Sequence, residues 1–255
     1  MDPAVFKLVA IVAIFVVGTV CGLLALGAGR SRKSDIFLSL GSALAAGVFL
    51  GAGLVHLMPD SVGALNGYFV GIQFPLGFLL TAVGFLFILF LEKILLAHEH
   101  DAPAPAGSPS SYALAIILSV HSVLAGAALG TENTLAGSAV LTLAILSHKG
   151  AAAFALMVDF QRAGFARGRS IGLLVLFCAM TPMGILFGAV LDHFLEETHG
   201  RLFEGMFDAV AAGTFIYIAI LEIISKEFAS RAHVAMKFIF VCLGLGLMAA
   251  IALFV

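Results

Sequence analysis

AVFKLVAIVAIFVVGTVCGLLALGA, residues 4–28, carries Lys7 as its single charge. A helix rises 1.5 Å per residue, so about 20 mainly apolar residues cross the hydrocarbon core of a bilayer. Seven further runs of this kind follow, at 35–58, 70–96, 112–130, 136–158, 170–192, 205–226 and 235–255. Repetition of one unit with short connections predicts an all-α membrane protein of eight transmembrane helices. The chain reads as a single transmembrane domain over 1–255, with no residues left for a soluble one.

Composition agrees with that reading. Of 255 residues, 62% are hydrophobic, with 13 Lys+Arg and 15 Asp+Glu. Mean hydropathy is +1.14. A soluble domain is about one-quarter charged and under half apolar, and a small globule has too little interior to bury this much apolar surface. A soluble enzyme, a nucleic-acid binder and a disordered chain are therefore excluded. Cys21, Cys178 and Cys242 sit singly inside apolar runs and read as small hydrophobes. No basic cluster precedes the first run and no small-residue cleavage site ends it, so it reads as a retained span rather than a signal peptide.

The cations are unevenly placed. Arg30, Arg32, Lys33, Lys93, Arg162, Arg167, Arg169, Lys226, Arg231 and Lys237 fall in or beside the connections after helices 1, 3, 5 and 7. Lys7 and Arg201 fall on the other side. The positive-inside rule then predicts a multi-pass protein of a cell (plasma or inner) membrane with both termini extracytoplasmic. The Pro/Ser/Ala-rich stretch AHEHDAPAPAGSPSS (97–111) reads as a mobile cytoplasmic loop.

A charged or imidazole group at membrane depth is costly and marks a functional candidate. Those present are His56 and Asp60 at the end of helix 2, His121 and Ser122 in helix 4, His148 and Lys149 in helix 5, and Glu222 in helix 7. Helices 4 and 5 are antiparallel and joined by Thr131 to Leu135. Counting from that turn, both imidazoles sit roughly 14–20 Å deep, near the bilayer midplane. Two histidines at one depth share a borderline-soft cation such as Zn²⁺, or serve as hydrogen-bonding glue between helices. Gly126, Gly130 and Gly150 permit close packing around them, and Pro182 in TPMG (181–184) predicts a kink at mid-depth.

Five ordered motifs, GVFLGAGLVHLMPD (47–60), HSVLAGAALG (121–130), SHKGAAAF (147–154), TPMGILFG (181–188) and GTFIYIAILEI (213–223), resemble the ZIP (Zrt/Irt-like) divalent metal transporters. The resemblance covers essentially the whole chain. It implies the ZIP fold, with inverted three-helix repeats around central helices 4 and 5. It also implies a single transporter domain that moves zinc, or Fe²⁺, Mn²⁺ or Cd²⁺, into the cytoplasm by alternating access. By the same resemblance His121, His148 and Ser122 hold metal, and Lys149 stands in for a second cation. His56 and Asp60 line the entrance, and Glu222, His98 and His100 the exit path. The implied partners are the divalent ion and the lipid bilayer, with no nucleic acid and a homodimer as the candidate assembly. No cofactor is implied; zinc is substrate.

The departure is Ala125. The family pattern His-Ser-x-x-Glu-Gly places a bridging carboxylate here, four residues after His121 on the same helix face. Without it two neutral imidazoles face Lys149, whose ammonium repels Zn²⁺ by roughly 4 kcal/mol per unit charge at about 4 Å for an effective dielectric near 20. Glu132 and His56 are the nearest substitutes by sequence, and neither lies on the right turn. Two alternatives to transport follow. One is an intramembrane zinc hydrolase built on His56, His121 and His148, which lacks a general base in the outer half. The other is a transport-defective metal-binding sensor, suggested by Ala125 alone.

Overall fold

In lipid every backbone N–H and C=O must be satisfied within the protein, which leaves helices as the economical spanning element for such runs. The computed structural model describes residues 2–28, 32–69, 74–95, 109–191 and 197–253. Among them are eight helices long and apolar enough to span a membrane: α1 (Pro3–Gly27), α2 (Lys33–Tyr68), α3 (Leu76–Ile94), α4 (Ser111–Thr131), α5 (Leu135–Arg162), α6 (Arg167–Leu191), α7 (Gly205–Ala229) and α8 (Val234–Ile251). Their outward faces are apolar, as with Leu8, Val12 and Val16 on α1 and Phe187 and Val190 on α6. Lipid is the solvent for those faces.

The apolar run of α2 ends near Met58, yet the helix continues across Pro59 to Tyr68. A proline ring collides with the carbonyl four residues back. A π-helical turn at Ala52–Leu57 widens the helix here, and the Met58 N–H reaches back to the Gly53 carbonyl. Further π turns occupy Leu91–Leu95 on α3 and Ile218–Ile224 on α7. Such turns are rare and cluster at functional positions. These three carry His56, Glu92 and Glu222 respectively. Pro182, by contrast, lies within one continuous helix.

Glycines divide the eight helices into two bodies. A methyl group on Gly184 would lie 2.2 Å from the Val123 carbonyl oxygen, and one on Gly126 2.3 Å from that of Thr181, so α4 and α6 touch backbone to backbone. Gly18 and Gly22 seat α1 on Cys178 and Leu174 of α6, and Gly150 seats α5 on Cys21 of α1. The second body is built alike. Gly47 and Gly244 join α2 to α8 and Gly84 and Gly213 join α3 to α7, each against a backbone oxygen 2.0–2.3 Å from the missing Cβ. Among the described residues, no glycine approaches backbone across the divide between α1/α4/α5/α6 and α2/α3/α7/α8. Gly41 of α2 meets only the Phe154 ring of α5, which also packs edge-on against Phe37.

This division predicts unequal costs for one substitution. Gly184→Ala should destabilise the detergent-solubilised protein by at least the roughly 1–3 kcal/mol of overpacking a filled interior. Gly172→Ala, whose Cβ meets nothing within 4 Å, should be neutral or stabilise by up to about 1 kcal/mol. Thermal melts of the two variants check this.

Candidate metal centre

His121 on α4 and His148 on α5 are both buried, and their ring centroids lie 5.6 Å apart. Both ring nitrogens of His121 and the Nδ1 of His148 are enclosed without a hydrogen-bond partner. Buried polar atoms of this kind call for a ligand or an ion. Two imidazoles sharing one tetrahedral zinc at Zn–N distances of about 2.0–2.1 Å would hold their centroids about 5 Å apart. The observed spacing is therefore close to ligating geometry. The hydrogen-bonding-glue reading does not fit His121, because among the described residues neither of its nitrogens has a hydrogen-bond partner.

A small enclosed cavity between the rings, about 10 Å³, is also lined by Ser122, Ala125, Ala152 and Thr181. That is room for roughly one water-sized particle. An ion entering it sheds its hydration shell and takes protein ligands instead. The Thr181 hydroxyl is buried without a partner among the described residues. Phe215 of α7 closes the cavity, its ring 4.3 Å from that of His121 and 5.4 Å from that of His148. All the polar groups lining the cavity belong to the α1/α4/α5/α6 body, and the other body contributes this aromatic face.

Lys149 is 2% exposed. Its ammonium donates to the Ser122 hydroxyl at 2.9 Å and the Phe177 carbonyl at 3.1 Å, and stands 3.7 Å from the centre of the Phe177 ring. Neutral oxygens and a π face hold it, with no carboxylate in contact. Among the described residues no carboxylate lines the cavity, and no group of three His, Cys, Asp or Glu side chains is placed to hold a metal. The position of Ala125 is thus left as a methyl group facing the site.

The remaining candidates lie elsewhere. His56 pairs with Asp60 at 2.8 Å (Nδ1 to Oδ2), outside the cavity lining. Glu222 faces the end of the bundle that holds Arg162, between a 200 Å³ cavity shared with Asp159 and Lys226 and a smaller one shared with Glu92 and Tyr217. The Tyr217 hydroxyl donates to Glu92 at 2.6 Å. Glu132 accepts from the Thr134 N–H and hydroxyl, both at 2.7 Å, and these bonds hold its carboxyl below the usual carboxylate range. It braces the start of α5 and supplies nothing to the histidines. His98 and His100 lie outside the described residues.

Sequence reasoning missed Phe215, Phe177 and Glu92. The first two are phenylalanines among 23, and nothing in an apolar run marks one aromatic as the lid of a site. Glu92 sits beside Lys93 near a helix end, where it reads as an ordinary interfacial acid.

An eight-helix membrane protein with an imidazole pair buried at its centre is the class these features define. The sequence matches the family described as ZIP Zinc transporter over residues 4–113 and 96–252, and the chain belongs to that family. Zinc transporter ZIP1 of Homo sapiens is 32% identical over 289 residues, covering 95% of this chain and 89% of that protein. Zinc transporter ZIP1 of Danio rerio is 32% identical over 264 residues (88% and 87% of the two chains), and Zinc transporter ZIP2 of Homo sapiens 28% over 265 (86% of each). The protein is a multi-pass membrane transporter and not an enzyme, and Zn²⁺ is its substrate rather than a cofactor. Neither the hydrolase nor the sensor reading is favoured.

The lysine environment yields a prediction. Burying a charge that no carboxylate compensates costs free energy, and an apolar group of similar volume removes that cost. Lys149→Met should therefore fold, with a melting temperature unchanged or raised, whereas Lys149→Glu should melt lower. Thermal unfolding in one detergent compares them.

Proposed function

We propose that the whole chain is one transporter domain that carries Zn²⁺ into the cytoplasm through a single site formed by His121 and His148, with Ser122 and Thr181 as neutral oxygen neighbours. The observation that carries this reading is the imidazole pair at 5.6 Å with unpartnered nitrogens inside a cavity sized for one ion. Lys149 fills the space of a second cation. Its charge weakens zinc binding, which favours release over retention.

Alternating access here is movement of the α1/α4/α5/α6 body, which carries the site, against α2/α3/α7/α8. Two facts support it: backbone-tight glycine contacts lie within each body, and side-chain contacts such as Phe37–Phe154 and Phe215 with the histidines lie between them. Packed interfaces of side chains have alternative arrangements, whereas interlocked backbones do not slide. His56 with Asp60 serves the entrance and Glu222 the exit. The ten-to-two cation bias supports extracytoplasmic termini in a plasma or inner membrane.

Zinc binding and uptake by the purified protein in proteoliposomes test this. His121→Ala and His148→Ala should each weaken zinc binding by at least the roughly 10–100-fold that loss of an outer-shell partner costs. Unchanged affinity in both variants would refute the site. Ala125→Glu places a carboxylate on the His121 face beside Lys149 and should tighten zinc binding by roughly tenfold or more, about 1.4 kcal/mol.

A further inference from the structure

Among the described residues two ion pairs join the bodies, both at the end of the bundle that carries Arg162. Arg162 of α5 meets Glu227 of α7 at 2.7 Å, and Asp159 of α5 faces Lys226 of α7 at 4.0 Å. What each group keeps if the pairs part is unequal. The Glu227 side chain is only 3% exposed, yet it retains partners in its own body. It accepts from the Ser39 hydroxyl of α2 at 2.6 Å and lies 4.0 Å from Lys237 of α8. Lys237 in turn donates to the Glu227 carbonyl at 2.6 Å. Lys226 likewise keeps Glu222 of its own helix.

On the other body Arg162 is the open member of its pair, 48% exposed against 3% for Glu227, whereas Asp159 is the more buried member of its own, 21% against 48% for Lys226. Parting Arg162 from Glu227 therefore strands no buried charge. Glu227 stays compensated by Lys237 and Lys226 by Glu222, while Arg162 passes into water and Asp159 keeps the 200 Å³ cavity that it lines. Breaking a buried pair by removing one partner is strongly destabilising where the other is left alone; here the most buried group, Glu227, is not.

We propose that Arg162–Glu227 and Asp159–Lys226 form a releasable clasp that holds the two bodies in the arrangement seen here and opens during each transport cycle. It rests on the two-body reading of transport given above. A slide of one helical turn, about 5.4 Å, carries both pairs past the roughly 4 Å reach of an ion pair. The clasp thus acts as a latch on the conformational equilibrium, separate from the metal ligands. Lys237 and Ser39 are positioning residues that keep Glu227 aimed at α5.

The test uses full-length protein with its cysteines replaced and spin labels at Asn66 (outer part of α2) and Ala136 (start of α5), both exposed and away from the clasp. Distance distributions are measured by pulsed electron resonance with and without added Zn²⁺. The double variant Arg162→Ala/Asp159→Asn alters only the α5 partners and leaves Glu227 its own-body contacts. It should shift the ratio of the two distance populations by roughly threefold or more away from the wild-type state, within the range of two partly exposed ion pairs. Arg162→Lys should fall between it and wild type. An unchanged ratio in the double variant, with wild type itself exchanging between two distances, overturns the clasp alone. A single unvarying distance in wild type with and without zinc overturns the two-body reading and the clasp with it. Zinc affinity in the double variant should stay within about twofold of wild type, since no ligand is touched; a large loss would mean the pairs act on the site and not on the equilibrium.

Discussion

Close contact of backbones at glycine is the constraint on which this molecule depends. Lipid tails are as apolar as the side chains that face them, so burying leucine against leucine gains little inside a membrane. What helices gain instead is dispersion and weak polar contact at short range, and only residues without a Cβ allow that range. Gly126, Gly130, Gly184 and Gly188 on α4 and α6, and Gly47, Gly84, Gly213 and Gly244 in the other body, supply it. Two bodies follow from where those glycines fall, and the surface between them is left to side chains.

The candidate metal centre is placed by the same arrangement. α4 and α5 bring His121 and His148 to one depth, and α6, locked to α4, brings Thr181 and the Phe177 carbonyl. Because these helices are packed backbone to backbone, the candidate site is held within one body. Phe215 from the second body covers it in the arrangement seen here. Ala125 faces the cavity with a methyl group, and among the described residues Lys149 has no anionic partner in contact with it.

Much of this is legible along the chain. Eight apolar runs are counted without reference to contacts, because the bilayer fixes the length each must have. The equal depth of His121 and His148 follows from 1.5 Å per residue and the short turn between their helices. Other features are not legible for physical reasons. The continuation of α2 past Pro59 depends on a π turn, an added residue of helix that leaves no trace in hydropathy. Glu132, a near substitute by sequence distance, turns back to cap α5. The role of Phe215 depends on the azimuth at which α7 meets α4 and α5, which an all-round apolar helix does not encode.

The sequence by itself determined the solvent, the number of spans, the family and the histidines, since each depends on composition or on separation along one helix. Only the tertiary structure decided that Lys149 is held by Ser122 and Phe177, that no described carboxylate completes the site, and that Glu227 meets Arg162 between two bodies. Those facts join residues 27, 28 and 65 positions apart. Such distances are set by which faces of separate helices pack together, and packing is a property of the assembled bundle rather than of any segment within it.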